Sequence, residues 1–232
     1  MDATPEAAEQ HERPAVGPLV AWSLLALLQV AAGFASLATR EERDNTNPLF
    51  TSEFVATSIV VYAILLLLTF GIAAGYSLDH RRGLGFRRFE LRWLAAGAAV
   101  VVASLAVGAL MSLFGNAAEE QGLAPDRWEP GKEAVFAAAA VVVVLLVPFA
   151  EELFFRGLGV GVLAFAGPVV AIGIPAIAFA LAHGILIALP TLVVLGGGLA
   201  WIRYRSGSVW PCFLTHATWN GLALAVAAAT SF

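Results

Sequence analysis

Charge is what this sequence has least of. Only 13% of its 232 residues are Asp, Glu, Lys or Arg, against 59% hydrophobic, and the mean hydropathy is +0.82. No ordinary soluble domain of this size has that balance. Cysteine is nearly missing too. Cys212 stands alone, which excludes an intramolecular disulfide and a thiolate metal cluster built from one chain. No basic patch suits nucleic acid, and a net charge of −4 spread over so few ionisable groups says little about partners.

The absences fall in blocks. Residues 14–39, 54–78 and 93–118 contain no Asp, Glu, Lys or Arg, and each exceeds the roughly 20 residues that cross hydrocarbon. Residues 157–202 form a 46-residue charge-free run, enough for two spans, and 206–232 give another. With the span that carries a Glu pair at 151–152, about seven membrane helices are expected, six or eight being the neighbouring counts. A β-barrel would need short alternating segments, and these runs are continuous. The fold class is therefore an all-α, polytopic transmembrane helical bundle. Spans are predicted near 17–39, 54–77, 93–115, 136–160, 168–189, 190–205 and 209–230, with Pro148 kinking the fourth. Residues 1–15 read as a disordered polar tail, 16–132 as a three-span region and 133–232 as the core that carries the chemistry. The first apolar segment is too long for a signal-peptide core.

Loop charge sets the expected orientation. Arg81, Arg82, Arg87, Arg88 and Arg92 crowd one loop, whereas 40–53 and 119–133 mix a few basic residues with more acidic ones. The positive-inside rule puts 79–92, and with it the N-terminus, in the cytoplasm; Arg203 and Arg205 fall on that side by parity. Trp22, Trp93, Trp128, Trp201 and Trp210 lie near span ends, as interface anchors do. Gly157 with Gly161, and Gly196 to Gly198, have the spacing of close helix packing. Short loops and the lack of a targeting sequence suggest a prokaryotic plasma membrane.

Against that background a few polar residues stand out. Ionised groups at membrane depth cost about 2.5–3.5 kcal/mol each on insertion scales, so a cluster there marks a functional site. Glu152 and Arg156 are four apart, acid first, and share a helix face. Glu151 points about 100° away, with Phe155 four residues on and no cation, which makes it the free carboxylate and the better general base. His183 follows Phe179 by four, and His216 precedes Asn220 by four with Cys212 one turn before. His11 and His80 lie in the tail and the basic loop. A lone buried His is as readily a packing residue, and a lone Glu–Arg pair a structural ion pair. Together, on three helices otherwise almost devoid of polarity, they are most cheaply explained by one shared site. Such a set orders a water molecule or holds a divalent metal such as zinc through Glu151, His183 and His216. Depth opposes the idea: His183 lies about 15 residues, or ~22 Å, from the cytoplasmic end near which His216 sits.

Glu151-Glu152-x-x-x-Arg156, Phe179-x-x-x-His183 and His216-x-x-x-Asn220, in that order over roughly 134–226, resemble the motifs of the CAAX-protease and bacteriocin-processing (CPBP, or Abi) family of intramembrane proteases. No motif position departs from the pattern, and the first three spans carry no signature. The resemblance implies a helical bundle whose site opens toward the cytosol and cleaves peptide bonds of membrane-associated proteins or peptides. It implies that Glu151 and His183 activate water, that Glu152 and Arg156 support them, and that His216 and Asn220 stabilise an oxyanion or serve as ligands. Both a metallo- and a metal-free glutamate mechanism are argued for the family. A non-catalytic scaffold or bacteriocin-immunity protein and a proton- or ion-coupled transporter are the competing readings. Substrate identity and oligomeric state are not legible.

Overall fold

The computed structural model describes residues 16–38, 47–76, 83–115, 117 and 128–230. The polar tail with His11, the loop positions His80, Arg81 and Arg82, and most of the two acidic loops lie outside the described residues. Those described form an all-helical fold without strands. Seven helices follow one another: α1 (Val16–Ala38), α2 (Ser52–Gly75), α3 (Arg92–Met111), α4 (Glu133–Ala166), α5 (Pro168–Ala182), α6 (Leu189–Ser206) and α7 (Trp210–Thr230). Of these, α1, α2, α3, α4 and α7 are long and apolar enough to cross a membrane. Large apolar side chains such as Leu27, Leu67 and Val102 project outward, as they do where lipid is the solvent. The chain is a multi-pass membrane protein.

Helix ends follow local chemistry. The Thr51 hydroxyl accepts from the Phe54 amide at the start of α2, and Glu53 sits in its first turn, where a carboxylate meets the positive end of the helix dipole. Helix α6 closes on Gly207 in the left-handed conformation, and its last turn carries Arg203 and Arg205, the favourable charge for the negative end of a helix.

Two spans differ from expectation. Helix α5 stops at Ala182 rather than 189, because Gly184 takes a left-handed φ of +58° that unwinds the chain just after His183. Its backbone there touches Gly33 of α1 so closely that a Cβ on either glycine would overlap the other strand of chain. His183 therefore caps a helix and is not mid-span. Helix α4 is longer than 136–160 and, as expected, continues through Pro148. Proline lacks an N–H and its ring clashes with the carbonyl four residues back. The helix widens instead into a π-helical stretch at Val142–Leu146, in which the Val147 N–H reaches Val142 O, five residues back. A second π-helical stretch, Glu152–Gly159, begins one residue after Glu151.

Tertiary contacts set the relative depths. Phe149 of α4 packs on Trp210 and Phe213 at the start of α7, and the rest of α4 runs on past that level to Ala166. Helix α5 thus starts beyond the end of α7 and climbs back, so that Phe179 reaches His216. This removes the ~22 Å mismatch expected between the two histidines. Gly157 and Gly161 do allow close approach, but of the 83–84 backbone and not of another helix: a Cβ would meet Leu84 O at 3.0 Å and Gly83 O at 2.6 Å. Trp22 is not an interface anchor. It is buried against Phe154, and its indole N–H donates to Phe154 O at 3.1 Å, meeting a carbonyl within the π-helical stretch. Trp93 with Trp201, and Trp210 with Phe86, do sit at helix ends.

Candidate active site

Glu152 and Arg156 form the anchor. Both are fully buried, and Arg156 Nη1 donates to Glu152 Oε1 at 2.8 Å, the i,i+4 pair that the spacing foretold. Arg156 Nη2 donates to Gly196 O of α6 at 3.2 Å, and the guanidinium lies 4.1 Å from the Phe179 ring centroid. Gly196 matters here because a Cβ would press on Phe179 at 3.1 Å and on Arg156 at 3.3 Å. Glu152 Oε1 also bonds His216 Nδ1 at 2.8 Å, so one carboxylate ties α4 to α7. Burying two charges is tolerated because each is met by an opposite charge and by hydrogen bonds.

Glu151 faces elsewhere, as its helical angle implies. Its Oε1 accepts from the Tyr62 hydroxyl of α2 at 3.1 Å. Its Oε2 is buried, has no hydrogen-bond partner, and stands 3.9 Å from His216 Nε2. His183 is oriented by its own helix: its Nδ1 N–H donates to Phe179 O at 2.8 Å. The Phe179 ring stands edge-on between the two imidazoles, 4.6 Å from His183 and 5.5 Å from His216 between centroids. Asn220 Nδ2 donates to Val143 O at 2.9 Å. In π register that carbonyl is the one Pro148 would have served, so Asn220 satisfies it while keeping its second N–H.

Glu151, His183 and Asn220 all line one cavity of about 1050 Å³, at the upper end for a ligand pocket. Its walls are the C-terminal ends of α1, α3, α5 and α7 and the N-terminal ends of α2, α4 and α6. These ends share one face of the bundle. The opposite face carries the 83–90 segment, stapled to the α6–α7 connection by Val209 N–H to Gly85 O (2.9 Å), Ser208 Oγ to Arg87 O (2.7 Å) and Arg203 Nη2 to Gly83 O (3.0 Å). A cytoplasmic arginine loop and a cavity opening to the cytosol were both expected from sequence. The two lie on opposite faces, so they are mutually exclusive.

Among the described residues, no three His, Cys, Asp or Glu side chains come together at metal-ligand spacing. Of the three residues named for a metal, Glu151 and His216 approach to 3.9 Å, and both histidines pack on Phe179.

Two contributors were missed in the sequence. Tyr62 and Trp22 come from the first two helices, which carry no motif, and only tertiary proximity reveals them. A lone Tyr in an apolar helix gives no local signal, though Tyr62 is one of only three tyrosines in the chain.

With this geometry in view, residues 133–222 match the family model of Rce1-like proteins, described as "Type II CAAX prenyl endopeptidase Rce1-like". This region, from the start of α4 to α7, is thus similar to the CAAX-type proteases whose motifs it resembles. No curated protein and no solved structure gives a significant match to the chain. At the level of the family, the class defined is a membrane-embedded CAAX-type endopeptidase acting on membrane-associated substrates.

Proposed function

We propose that this protein hydrolyses peptide bonds of membrane-associated proteins or peptides, with Glu151 as the general base. One observation carries the reading: Glu151 Oε2, buried and without a protein partner, lies on the wall of a large apolar cavity that His183 and Asn220 also line. Tyr62 holds the other oxygen and so fixes the carboxylate's orientation. In the reaction, Glu151 takes a proton from water aligned by His183 Nε2. The oxygen attacks the scissile carbonyl, and the same carboxyl passes the proton to the leaving amine.

Oxyanion support falls to Asn220 through its remaining N–H and to His216. His216 is held by Glu152 through Nδ1, and its Nε2 faces Glu151. Each such donor typically lowers the barrier by about 3–4 kcal/mol. We assign Glu152 and Arg156 to positioning, because neither lines the cavity and Glu152 holds His216 beside Glu151. In this proposal the protein's own groups carry the reaction without a metal. A prokaryotic plasma membrane is the setting we assign.

The test compares cells carrying the wild type with cells carrying Glu151→Gln. New peptide termini in the membrane proteome should arise with the wild type and vanish with the variant, at equal levels of inserted protein. Termini that persist with Glu151→Gln refute the assignment.

A further inference from the structure

The side of the membrane on which substrate enters follows from two independent features. The first is charge. The described residues of 83–92 and 203–209, which share one face, hold Arg87, Arg88, Arg92, Arg203 and Arg205 against Glu90 as their acid. The described stretches 47–53 and 128–133 on the other face hold one basic residue, Lys132, beside Glu53, Glu129 and Glu133. Lys and Arg in short loops near helix ends set membrane orientation, and Asp and Glu count little. The arginine face is therefore the cytoplasmic one.

The second feature is where the cavity lies. Its lining includes Leu49, Ser112, Gly115, Ile185 and Ile187, which stand at or beyond helix ends on the acidic face. No lining residue belongs to 83–90, to 203–210 or to the α4–α5 turn. The cavity thus reaches one membrane interface only, the one away from the arginines. A path through the whole bundle, which transport would use, is not what these walls enclose.

Resting on the peptidase reading, we infer that the active site is loaded from the non-cytoplasmic side. The substrate is then a peptide segment presented at the outer leaflet or beyond it, and not a lipidated tail in the cytosol. Leu25, Leu28, Leu65, Leu68, Leu192 and Leu224 on the walls suit large apolar side chains in that segment. This is the reverse of the orientation that the family resemblance implied, and it follows from this chain's own loops.

The test exploits the cysteine content. Cys212 is fully buried, so the wild type gives a low background with a membrane-impermeant maleimide. Ser52→Cys and Ser112→Cys place thiols at exposed sites on the acidic face, and Glu90→Cys places one on the arginine face. In intact cells the first two should label fully, and Glu90→Cys only after permeabilisation. Labelling of Glu90→Cys in intact cells, alone or alongside the others, overturns the inference. A bulky impermeant maleimide on Ser112→Cys should then suppress the termini that the unlabelled variant produces, and unchanged cleavage would overturn outer-side loading. Labelling needs no catalysis, so in a Glu151→Gln background the orientation result stands even where the peptidase reading fails.

Discussion

Removing the charge of Glu152 should damage the fold, whereas removing that of Glu151 should damage only the chemistry. Glu152→Gln is nearly isosteric, yet it leaves Arg156 buried at zero exposure with no counter-charge and weakens the tie to His216. Breaking one side of a buried pair costs about 3–5 kcal/mol. Against a typical stability of about 5–15 kcal/mol, that is a large share. For a chain of this length it corresponds to a melting temperature lower by roughly 6–20 °C. Glu151→Gln keeps an oxygen to accept from Tyr62 and strands no cation, so its cost should stay within about 1 kcal/mol. The assay is thermal unfolding of both variants in the same detergent or lipid, beside Glu152→Gln/Arg156→Met. The double variant should recover most of the loss, because replacing both partners removes the unpaired charge. Equal melting temperatures for the two single variants, or no recovery in the double, would refute this division of labour.

Other outcomes follow from the same contacts. Tyr62→Phe loses one charge-assisted hydrogen bond, of about 1.5–3 kcal/mol, and should slow cleavage roughly 10–100-fold without lowering the melting temperature comparably. Asn220→Leu should lower cleavage and also stability, by about 1–3 kcal/mol, because Val143 O loses its donor. Adding Pro148→Ala restores a backbone N–H and should recover the stability but not the cleavage. Gly161→Val drives side-chain atoms into Gly83 O and should detach the 83–85 segment, read as faster proteolysis there. A chelator should leave the cleavage rate of the purified protein unchanged.

How much of this could be read in the sequence depended on the range of the interaction. The Glu152–Arg156 pair was legible because four residues of helix fix it locally. Freedom of Glu151 from any cation on its own helix was legible for the same reason. That a proline in a membrane helix needs outside help was foreseeable, but its donor, Asn220, sits on another helix. The end of α5 was hidden because apolar residues continue past His183, and only the backbone angle of Gly184 announces the break. The overshoot of α4 beyond α7 has no local signature at all. Tyr62 stayed invisible because its role depends on which residue of α4 it meets. The expectation that the cavity opens to the cytosol came from family resemblance, and resemblance carries no information about this chain's arginines.

The central claim is that the Glu151 carboxylate performs the hydrolysis in the cavity it lines. Its most direct test is to reconstitute purified wild type and Glu151→Gln into liposomes with a library of apolar peptides and sequence the products by mass spectrometry. The account predicts internal cleavage by the wild type and none by the equally stable variant. Cleavage by both at the same sites and rates would contradict it.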